Sequence, residues 1–369
     1  MKAIQWIISA LVAVVIIAAA VGGGGYFTRL KSIHSIRKLT DYENYNLYRM
    51  DIDYAYDLDR LIDRGITDNQ SMINAILAEA LPYLPIHMKA PNFGCSAFCT
   101  QGTDGHTLMG RNYDFKNDTS AMLVYCTPKD GYASVAFAAL DNINANTPDA
   151  SMAKKLATLT APFICLDGMN EKGVSIAVLT LDSDPTYQQT GKPMIATTLA
   201  IRLVLDRAAT TAEAVELLSK YDMFASSGRD YHFYITDASG DGRVLEYDCN
   251  DPTRPLTVPP SRSVTNFFVM YKDNVLPNQR NGVYGHGRER YDAIEEILDA
   301  NAGSIDREIA WQALQAASQA PNPQDVTSNT QWSILYDNTA LTAEAVIRRD
   351  WNTKTSYDLV SNVAVTDVG

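Results

Sequence analysis

The sequence predicts an α+β fold in which sheets pack face to face and helices lie outside them. Short apolar runs bounded by turn residues dominate residues 94–166, and such runs are typical of strands. Apolar residues at helical spacing follow over residues 194–207 and 212–221. Because runs of strands stand beside runs of helices, the pattern indicates layers of sheet covered by helices.

Each predicted element has its own signal. Residues 71–84 have helical apolar spacing that ends in a proline-containing stretch, and the threonines at 210 and 211 can cap the helix over residues 212–221. The Gly-Asp-Gly at residues 240–242 predicts a hairpin. Strands are predicted at residues 108–115, 122–127, 133–139, 162–166, 231–236, 243–247, 331–336 and 343–349, and further helices at residues 290–298 and 306–317.

The composition is that of a globular protein. With 369 residues and 46% hydrophobic content, the chain can bury a sizeable core as one large domain or two smaller ones. Acidic residues outnumber basic ones by 43 to 31, which gives a formal charge of −12. This charge argues against nucleic acid as a partner, and no basic face is evident for anionic lipid.

The first residues differ from the rest of the chain. Residues 4–21 form an apolar run that can cross about 27 Å of bilayer as a helix, at roughly 1.5 Å per residue. We therefore expect residues 1–25 to be a membrane anchor or a signal segment, and the length of the run favours the anchor. Arg29 and Lys31 lie just after the run, and the positive-inside rule would keep that side cytoplasmic.

One cysteine has a chemical setting that the others lack. Cys95 precedes Arg111 by sixteen residues and Asp114 by nineteen, and a turn at residues 103–106 joins the two short apolar segments that carry them. Such a strand pair brings a thiol, a guanidinium and a carboxylate together, and a fixed cation biases a nearby thiol toward thiolate. The five cysteines are odd in number and widely spread, so they form no disulfide framework.

The surroundings of Cys95 resemble the choloylglycine hydrolase and penicillin V acylase family of linear amide C–N hydrolases, a group of N-terminal nucleophile hydrolases. The resemblance extends over most of the chain after residue 94. Besides Cys95, Arg111 and Asp114 it includes Asp167-Gly168-Met169-Asn170-Glu171-Lys172-Gly173, Val264-Thr265-Asn266-Phe267, Arg290-Tyr291 and Gln331-Trp332-Ser333. It implies a four-layer αββα sandwich in which the nucleophilic cysteine is the first residue of the mature chain. We interpret residues 167–173 mainly as a tight turn between strands.

The resemblance also implies a role for each candidate catalytic residue. Cys95 would be the nucleophile, and Asp114 would hold its α-amine. Arg111 would favour the thiolate. Asn266 would donate a hydrogen bond to the oxyanion, and Arg290 would hold the charge network of the site.

Two assignments are less direct. Arg288 competes with Arg290, because it lies only two positions away. Thr180 stands where bile salt hydrolases and penicillin V acylases carry an asparagine that helps to bind the oxyanion, so its backbone N–H is the candidate donor. This difference weakens the kinship with bile salt hydrolases.

The long segment before Cys95 predicts self-cleavage between Gly94 and Cys95, as in the related self-cleaving acyltransferase branch of the family. Residues 26–94 would then be a linker and pro-segment, and residues 95–369 the catalytic domain. The freed α-amine, with a reference pKa of about 7.7–8.0, would carry the proton. Exported relatives favour an extracytoplasmic domain, either anchored in the cell membrane through residues 4–21 or secreted.

These observations predict a cysteine amidase that cleaves a linear, non-peptide amide with an apolar acyl group through a thioester, without a metal or organic cofactor. Residues 237–242 imitate a calcium loop only faintly, and a plain hairpin is the better interpretation. The sequence does not determine the oligomeric state, and a homo-oligomer is compatible with it. Two other functions also stay open: a papain-like thiol hydrolase with His106 or His286 as its base, and a catalytically silent binding protein on the same scaffold, for which Thr180 is the only hint.

Overall fold

The computed structural model describes residues 27–81, 94–115, 117–280, 282–324 and 328–368. The strands in these ranges are β1 Arg37–Lys38, β2 Leu47–Ile52, β3 Gly94–Gln101, β4 Thr107–Asp114, β5 Ala121–Cys126, β6 Ser134–Ala139, β7 Cys165–Asn170, β8 Ser175–Leu181, β9 Met194–Ala196, β10 Asp222–Phe224, β11 Asp230–Thr236, β12 Arg243–Tyr247, β13 Leu256–Thr257, β14 Ser263–Val264, β15 Thr330–Asp337, β16 Thr342–Ile347, β17 Thr353–Asp358 and β18 Val363–Val368. The α-helices are α1 over residues 27–34, α2 Leu58–Ile62, α3 Asn69–Ala80, α4 Met152–Ala157, α5 Thr197–Arg207, α6 Thr211–Ser219, α7 Arg288–Ala300 and α8 Arg307–Ala317.

Two large sheets pack face to face, with helices on both outer sides. The first has nine strands in the order β1-β2-β5-β6-β7-β8-β11-β12-β13, and the second has seven in the order β14-β3-β4-β15-β16-β17-β18. Helices α5 and α6 pack on the nine-stranded sheet, and α7 and α8 pack on the seven-stranded one. The main apolar core includes the facing sides of both sheets, and a smaller core lies under α7 and α8. This order of layers is the four-layer arrangement that the resemblance implies.

The hairpin of β3 and β4 carries the first candidate site residues. Cys95 pairs with Tyr113, and Gly94 pairs with Asp114, across the antiparallel ladder. The connecting turn contains Gly105 with φ of +82°, a left-handed conformation that glycine adopts without strain. The strand pair predicted from the spacing around Cys95 is therefore confirmed.

Most predicted elements are present with ends shifted by a few residues, but two expectations are wrong and two strands were not predicted. Residues 162 and 163 belong to a 3₁₀ segment, and the strand predicted there begins only at Cys165. Residues 194–196 form a strand parallel to Asp222–Phe224, so the helix predicted from residue 194 begins at Thr197. The last two strands, β17 and β18, were not expected. They are polar and partly exposed at the edge of the sheet, which hides the apolar alternation of a buried strand.

Residues 27–81 are part of the main fold. Strand β2 pairs in parallel with β5 over six residues, from Leu47 with Ala121 to Ile52 with Cys126. Met50 on this strand and Ile76 on α3 have no exposed surface, and both belong to the main core. The segment that we predicted as a linker and pro-segment thus contributes a strand to the sheet.

The predicted membrane anchor or signal segment, residues 1–25 with the apolar run at residues 4–21, lies outside the described residues. Within the ranges given above, no helix is both long and apolar enough to cross a bilayer.

His106, in the turn between β3 and β4, should make stability depend on pH. Its Nδ1 lies 2.8 Å from Oδ2 of buried Asp337, and this hydrogen bond raises the pKa of His106 above its ordinary value of 6.5. A raised folded-state pKa stabilises the fold fully below about pH 6.5, and this contribution is lost as the pH rises through the folded pKa. The ring is 36% exposed, so the effect is at most about 1 kcal/mol. We expect His106→Gln to lower the Tm more at pH 5.5 than at pH 8.5 in calorimetry; equal shifts at both values would contradict this.

Candidate active site

Cys95 lies near the start of β3 and is fully buried. Its backbone N–H donates a hydrogen bond to Oδ1 of Asn266 over 3.0 Å, and its carbonyl accepts one from Nη1 of Arg290 over 2.8 Å. On the paired strand β4, Tyr113 lies opposite Cys95, and Arg111, two residues earlier, is on the same face of the sheet. The backbone N–H and carbonyl of Cys95 are therefore hydrogen-bonded to two predicted site residues, Asn266 and Arg290, and its thiol shares a face of the sheet with a third, Arg111.

Arg111 is fixed in position by a set of buried acceptors. Its positive charge lies near enough to the Cys95 thiol to lower the pKa of that thiol. Its Nε lies 3.2 Å from Oδ2 of Asp167, and its Nη2 donates to the carbonyl of Val178 over 3.0 Å. Neither Arg111 nor Asp167 has exposed surface. The guanidinium is therefore held near the thiol by groups from the facing sheet.

Asp167 has a structural role at the site, as the ion-pair partner of Arg111, that the sequence did not indicate. We interpreted residues 167–173 as a turn, and residues 171–174 do connect β7 to β8, with Gly173 at φ of +75°. Asp167, however, lies within β7 and is the counter-ion of Arg111. Its carboxylate also accepts hydrogen bonds from Nε1 of Trp332 over 3.2 Å and from the hydroxyl of Tyr336 over 2.6 Å. The sequence signal that could have indicated this role was the Gln-Trp-Ser match at residues 331–333, because Trp332 binds Asp167.

Asn266 links Cys95 to the opposite sheet. Its Oδ1 also accepts a hydrogen bond from Nη2 of Arg290 over 2.7 Å, while its Nδ2 donates to the carbonyl of Thr180 over 2.9 Å and lies 3.2 Å from the Thr180 hydroxyl. The chain returns closely past this residue at Gly285, which has φ of +102°. A Cβ on Gly285 would lie 2.0 Å from the carbonyl oxygen of Asn266, so only glycine fits there.

Arg290, rather than Arg288, lies at the site. Arg290 is in the first turn of α7 and is 6% exposed, and its Nη1 lies 3.3 Å from Oδ2 of Asp114. Arg288 pairs with Asp292 over 2.7 Å and donates to the carbonyl of Lys272 over 3.0 Å. Arg290 therefore joins Cys95, Asn266 and Asp114 in one hydrogen-bonded network.

The carboxylate of Asp114 is bound by two more residues that the sequence analysis missed. Thr330 donates from its hydroxyl over 2.6 Å, and Gln319 donates from Nε2 over 2.7 Å. Thr330 adjoins the Gln-Trp-Ser match, whereas Gln319 carried no sequence signal. Burial raises the pKa of Asp114 above its usual range, although Arg290 and these hydrogen bonds oppose the shift. The predicted role of Asp114, to hold the α-amine that cleavage would free on Cys95, stays a prediction; in the uncleaved chain the backbone N–H of Cys95 donates to Asn266.

The thiol of Cys95 is protonated at neutral pH in this state. Burial raises its pKa to about 12, because a thiolate would lose its contact with water; the Arg111 guanidinium opposes this shift, and the charge of Asp114 adds to it. Arg111 acts in the expected direction, but its effect is smaller than that of burial. In the uncleaved chain, burial therefore outweighs the expected bias toward thiolate.

The two histidines of the papain-like alternative lie in different places. His106 is at the turn end of the β3–β4 hairpin, and Cys95 is six positions from Gln101, which ends β3, or about 20 Å along the strand. His286 is nearer. Its backbone N–H donates to the carbonyl of Asn266 over 2.8 Å, and its ring Nδ1 lies 2.7 Å from Oδ2 of Asp182.

The candidate site shows no arrangement suited to a bound metal. Within residues 27–81, 94–115, 117–280, 282–324 and 328–368, no group of three or more His, Cys, Asp or Glu side chains could hold a metal ion.

Comparison with solved structures shows a shared fold. A variant of conjugated bile acid hydrolase from Clostridium perfringens matches with a TM-score of 0.53 and 16% sequence identity, over 74% of this chain and 97% of that one. Penicillin V acylase from Agrobacterium tumefaciens matches with a TM-score of 0.51 and 18% identity, over 72% of this chain and 86% of that one.

Comparison with protein families gives a match that begins at the candidate nucleophile. Residues 95–251 match the model of the linear amide C–N hydrolases, choloylglycine hydrolase family. The first matched residue is Cys95, the residue on which Asn266 and Arg290 converge. The family expected from the residues around Cys95 is thus the family whose model matches residues 95–251, and this part of the chain is similar to the linear amide C–N hydrolases of the choloylglycine hydrolase family.

Proposed function

We propose that this protein is a cysteine amidase whose nucleophile, Cys95, becomes an N-terminal residue when the Gly94–Cys95 peptide bond is cut. The observation that carries the proposal is the convergence of Asn266 and Arg290 on the backbone of Cys95, whose thiol lies on the same face of the β3–β4 hairpin as Arg111. A cysteine that only fills space needs none of these partners. Side chains on its N–H and its carbonyl, together with a guanidinium near its thiol, favour chemistry at this residue.

The self-cleavage that we propose uses the same thiol. The Cys95 sulfur loses its proton and adds to the carbonyl carbon of Gly94, and the peptide C–N bond breaks as the Cys95 nitrogen takes up a proton. This leaves a thioester, which water hydrolyses to a carboxylate on Gly94 and a free thiol and α-amine on Cys95. Arg111 stabilises the thiolate during the step, which offsets part of the effect of burial.

Hydrolysis of a substrate follows the same pattern. The freed α-amine of Cys95 accepts the thiol proton, and the sulfur adds to the amide carbonyl carbon. Nδ2 of Asn266 and the backbone N–H of Thr180 are the proposed donors to the oxyanion. The N–H of a strand residue points to the same edge as its carbonyl, and the Thr180 carbonyl accepts from Asn266. The leaving amine takes the proton from the α-amine, and water then hydrolyses the thioester.

The substrate that we propose is a small, linear, non-peptide amide with an apolar acyl group. Tyr113 lies opposite Cys95 in the β3–β4 ladder, Tyr231 lies opposite Thr180 in the β8–β11 ladder, and both rings are buried. Their rings offer apolar surface to an acyl group. A conjugated bile acid and penicillin V, after which the two similar structures are named, are the first substrates to test. The extracytoplasmic location, whether anchored or secreted, stays a prediction.

We expect the purified protein to consist of two chains, the second of which begins at Cys95. Intact-mass measurement and N-terminal sequencing of the active preparation check this directly. An active preparation in which the Gly94–Cys95 bond is still intact would overturn the proposal, because the α-amine could not then carry the proton.

The silent binding protein stays a rival until the thiol is tested. An amidase of the proposed kind should label rapidly at Cys95 with a thiol-reactive acyl probe after processing, because its thiol is then paired with an amine base. A binding protein on the same scaffold should show no fast labelling at this residue.

A further inference from the structure

Two buried ionisable residues lie outside the site but contact the segment that carries Asn266. His232 on β11 and Glu246 on β12 belong to neighbouring strands, and neither has exposed surface. Nδ1 of His232 lies 3.4 Å from Oε2 of Glu246, and its Nε2 lies 2.9 Å from the carbonyl oxygen of Thr265. Because a carbonyl can only accept, Nε2 carries the hydrogen of that bond. The imidazole therefore joins the carboxylate of one strand to the residue just before Asn266.

Glu246 holds the same segment from its other end. Its Oε2 accepts a hydrogen bond from the backbone N–H of Val269 over 2.9 Å, and its Oε1 accepts one from Met270 over 2.8 Å. Strand β14 ends at Val264, and beyond it the segment is paired with the chain only through an isolated antiparallel bridge between Phe267 and Gly285 among the described residues. The His232–Glu246 pair thus binds the backbone on both sides of Asn266.

A buried pair of this kind needs an explanation beyond stability. Replacing a buried ionisable pair with apolar side chains is often neutral or stabilising, so the pair is weak evidence for a stabilising role alone. Its geometry instead suits the precise placement of a side chain, because both residues project from strands inside a rigid sheet.

We propose that His232 and Glu246 are positioning residues that hold residues 265–270 so that the Asn266 amide stays directed at Cys95 and Thr180. This inference depends on the function proposed above, in which Asn266 stabilises the oxyanion. The pair touches no reacting atom and acts through the Thr265 carbonyl and the amides of residues 269 and 270. Because the oxyanion forms only on the reaction path, loosening the segment should lower kcat and leave KM almost unchanged.

The test compares Glu246→Gln and His232→Leu with Asp222→Asn as a matched control. Asp222 is also a buried carboxylate that binds two backbone amides, Thr190 over 2.7 Å and Gly191 over 3.1 Å, but that loop carries no site residue. Turnover is measured with a chromogenic N-acyl anilide that the wild-type enzyme hydrolyses. Active sites are counted by titrating Cys95 with a thiol-reactive acyl probe, so a smaller amount of folded enzyme does not alter kcat per site.

We expect kcat per titrated site to fall between about tenfold and a hundredfold in Glu246→Gln and His232→Leu, with KM within about twofold, and to stay unchanged in Asp222→Asn. His232→Gln should recover part of the loss, because its amide nitrogen can still donate to the Thr265 carbonyl. Unchanged kcat per site in the first two variants, or an equal loss in Asp222→Asn, overturns the inference.

If Glu246→Gln and His232→Leu do not fold, the result for His232→Gln is decisive. A kcat per titrated site below that of the wild type supports the inference, and a kcat per site equal to that of the wild type overturns it.

Failure of the underlying function is recognised separately. If Cys95→Ser retains turnover, the proposed function itself is wrong. If Cys95 is essential while kcat per site is unchanged in the variants, only the positioning role is wrong.

Discussion

Cys95→Ala is expected to abolish both amide hydrolysis and cleavage of the chain. The alanine has no nucleophile to attack either the Gly94 carbonyl or a substrate, so turnover should fall on the order of 10⁴-fold or more. The variant should be isolated as one chain near the full mass of 40.6 kDa, with Gly94 still joined to residue 95. Intact-mass measurement and a turnover assay on the same sample check both effects. Cys95→Ser should likewise lose thioester chemistry.

Cys99 provides a matched control on the same strand. It is also a buried thiol, 6% exposed, and burial raises its pKa to about 11, but its neighbour is the hydroxyl of Thr236 over 3.0 Å instead of a guanidinium. Cys99→Ser should retain most of the turnover and normal cleavage. Equal losses in the Cys95 and Cys99 variants would show that general damage to β3 explains the result.

The same assay separates the proposed mechanism from a papain-like one. The His106→Ala, His286→Ala double variant removes both candidate imidazole bases but keeps the backbone N–H of residue 286 that binds the Asn266 carbonyl. If the α-amine of Cys95 is the base, the double variant retains activity. A loss comparable to that of Cys95→Ala would favour a cysteine–histidine mechanism.

Met50→Asp is expected to prevent folding of the whole protein, although residue 50 belongs to the segment predicted as a pro-segment. Met50 is fully buried on β2, which pairs with β5 inside the nine-stranded sheet. An unpaired carboxylate there costs several kcal/mol or more, against a net stability of about 5–15 kcal/mol for a typical protein. Soluble yield and circular dichroism measure the effect. Arg64→Asp, which adds the same carboxylate at an exposed position, should fold normally.

The same packing predicts what happens after cleavage. The hydroxyl of Tyr56 donates to Asp206 over 3.0 Å, and the hydroxyl of Tyr54 donates to the carbonyl of Leu159 over 2.6 Å, so hydrogen bonds add to the strand pairing. The two chains should therefore elute together in gel filtration and separate only in denaturant. Dissociation under native conditions, with activity retained by the fragment from Cys95 onward, would show that the segment is dispensable.

Local signals predicted the fold well where burial and turn chemistry agreed with the final structure. The Asp-Gly turn before His106 and the apolar runs beside it predicted the β3–β4 hairpin, and Thr210 does cap α6 through a hydrogen bond to the backbone of Glu213. Residues 194–196 were predicted as helix because their apolar spacing continues into α5. Pairing with residues 222–224, which are distant in sequence, made them a strand instead.

The sequence predicted which residues belong to the candidate site, but it did not predict the contacts that these residues make. Spacing and family resemblance together led to Cys95, Arg111, Asp114, Asn266 and Arg290, and the structure brings these five residues together. Their partners follow from the packing of the sheets and helices: Asp167 reaches Arg111 from the facing sheet, and Gln319 reaches Asp114 from the chain after α8. No spacing rule applies to such contacts, because they join segments that are far apart in the sequence.

The sequence by itself predicted the candidate nucleophile, the family resemblance and the order of most strands and helices, because turn residues, apolar periodicity and the spacing from Cys95 to Asp114 are local properties of the chain. Only the tertiary structure decided that the backbone N–H of Cys95 donates to Asn266 in the uncleaved chain, that burial outweighs Arg111 in setting the pKa of the thiol, and that residues 47–52 belong to the sheet. Each of these depends on which groups lose contact with water when distant segments pack together, and solvent exclusion is a property of the assembled fold.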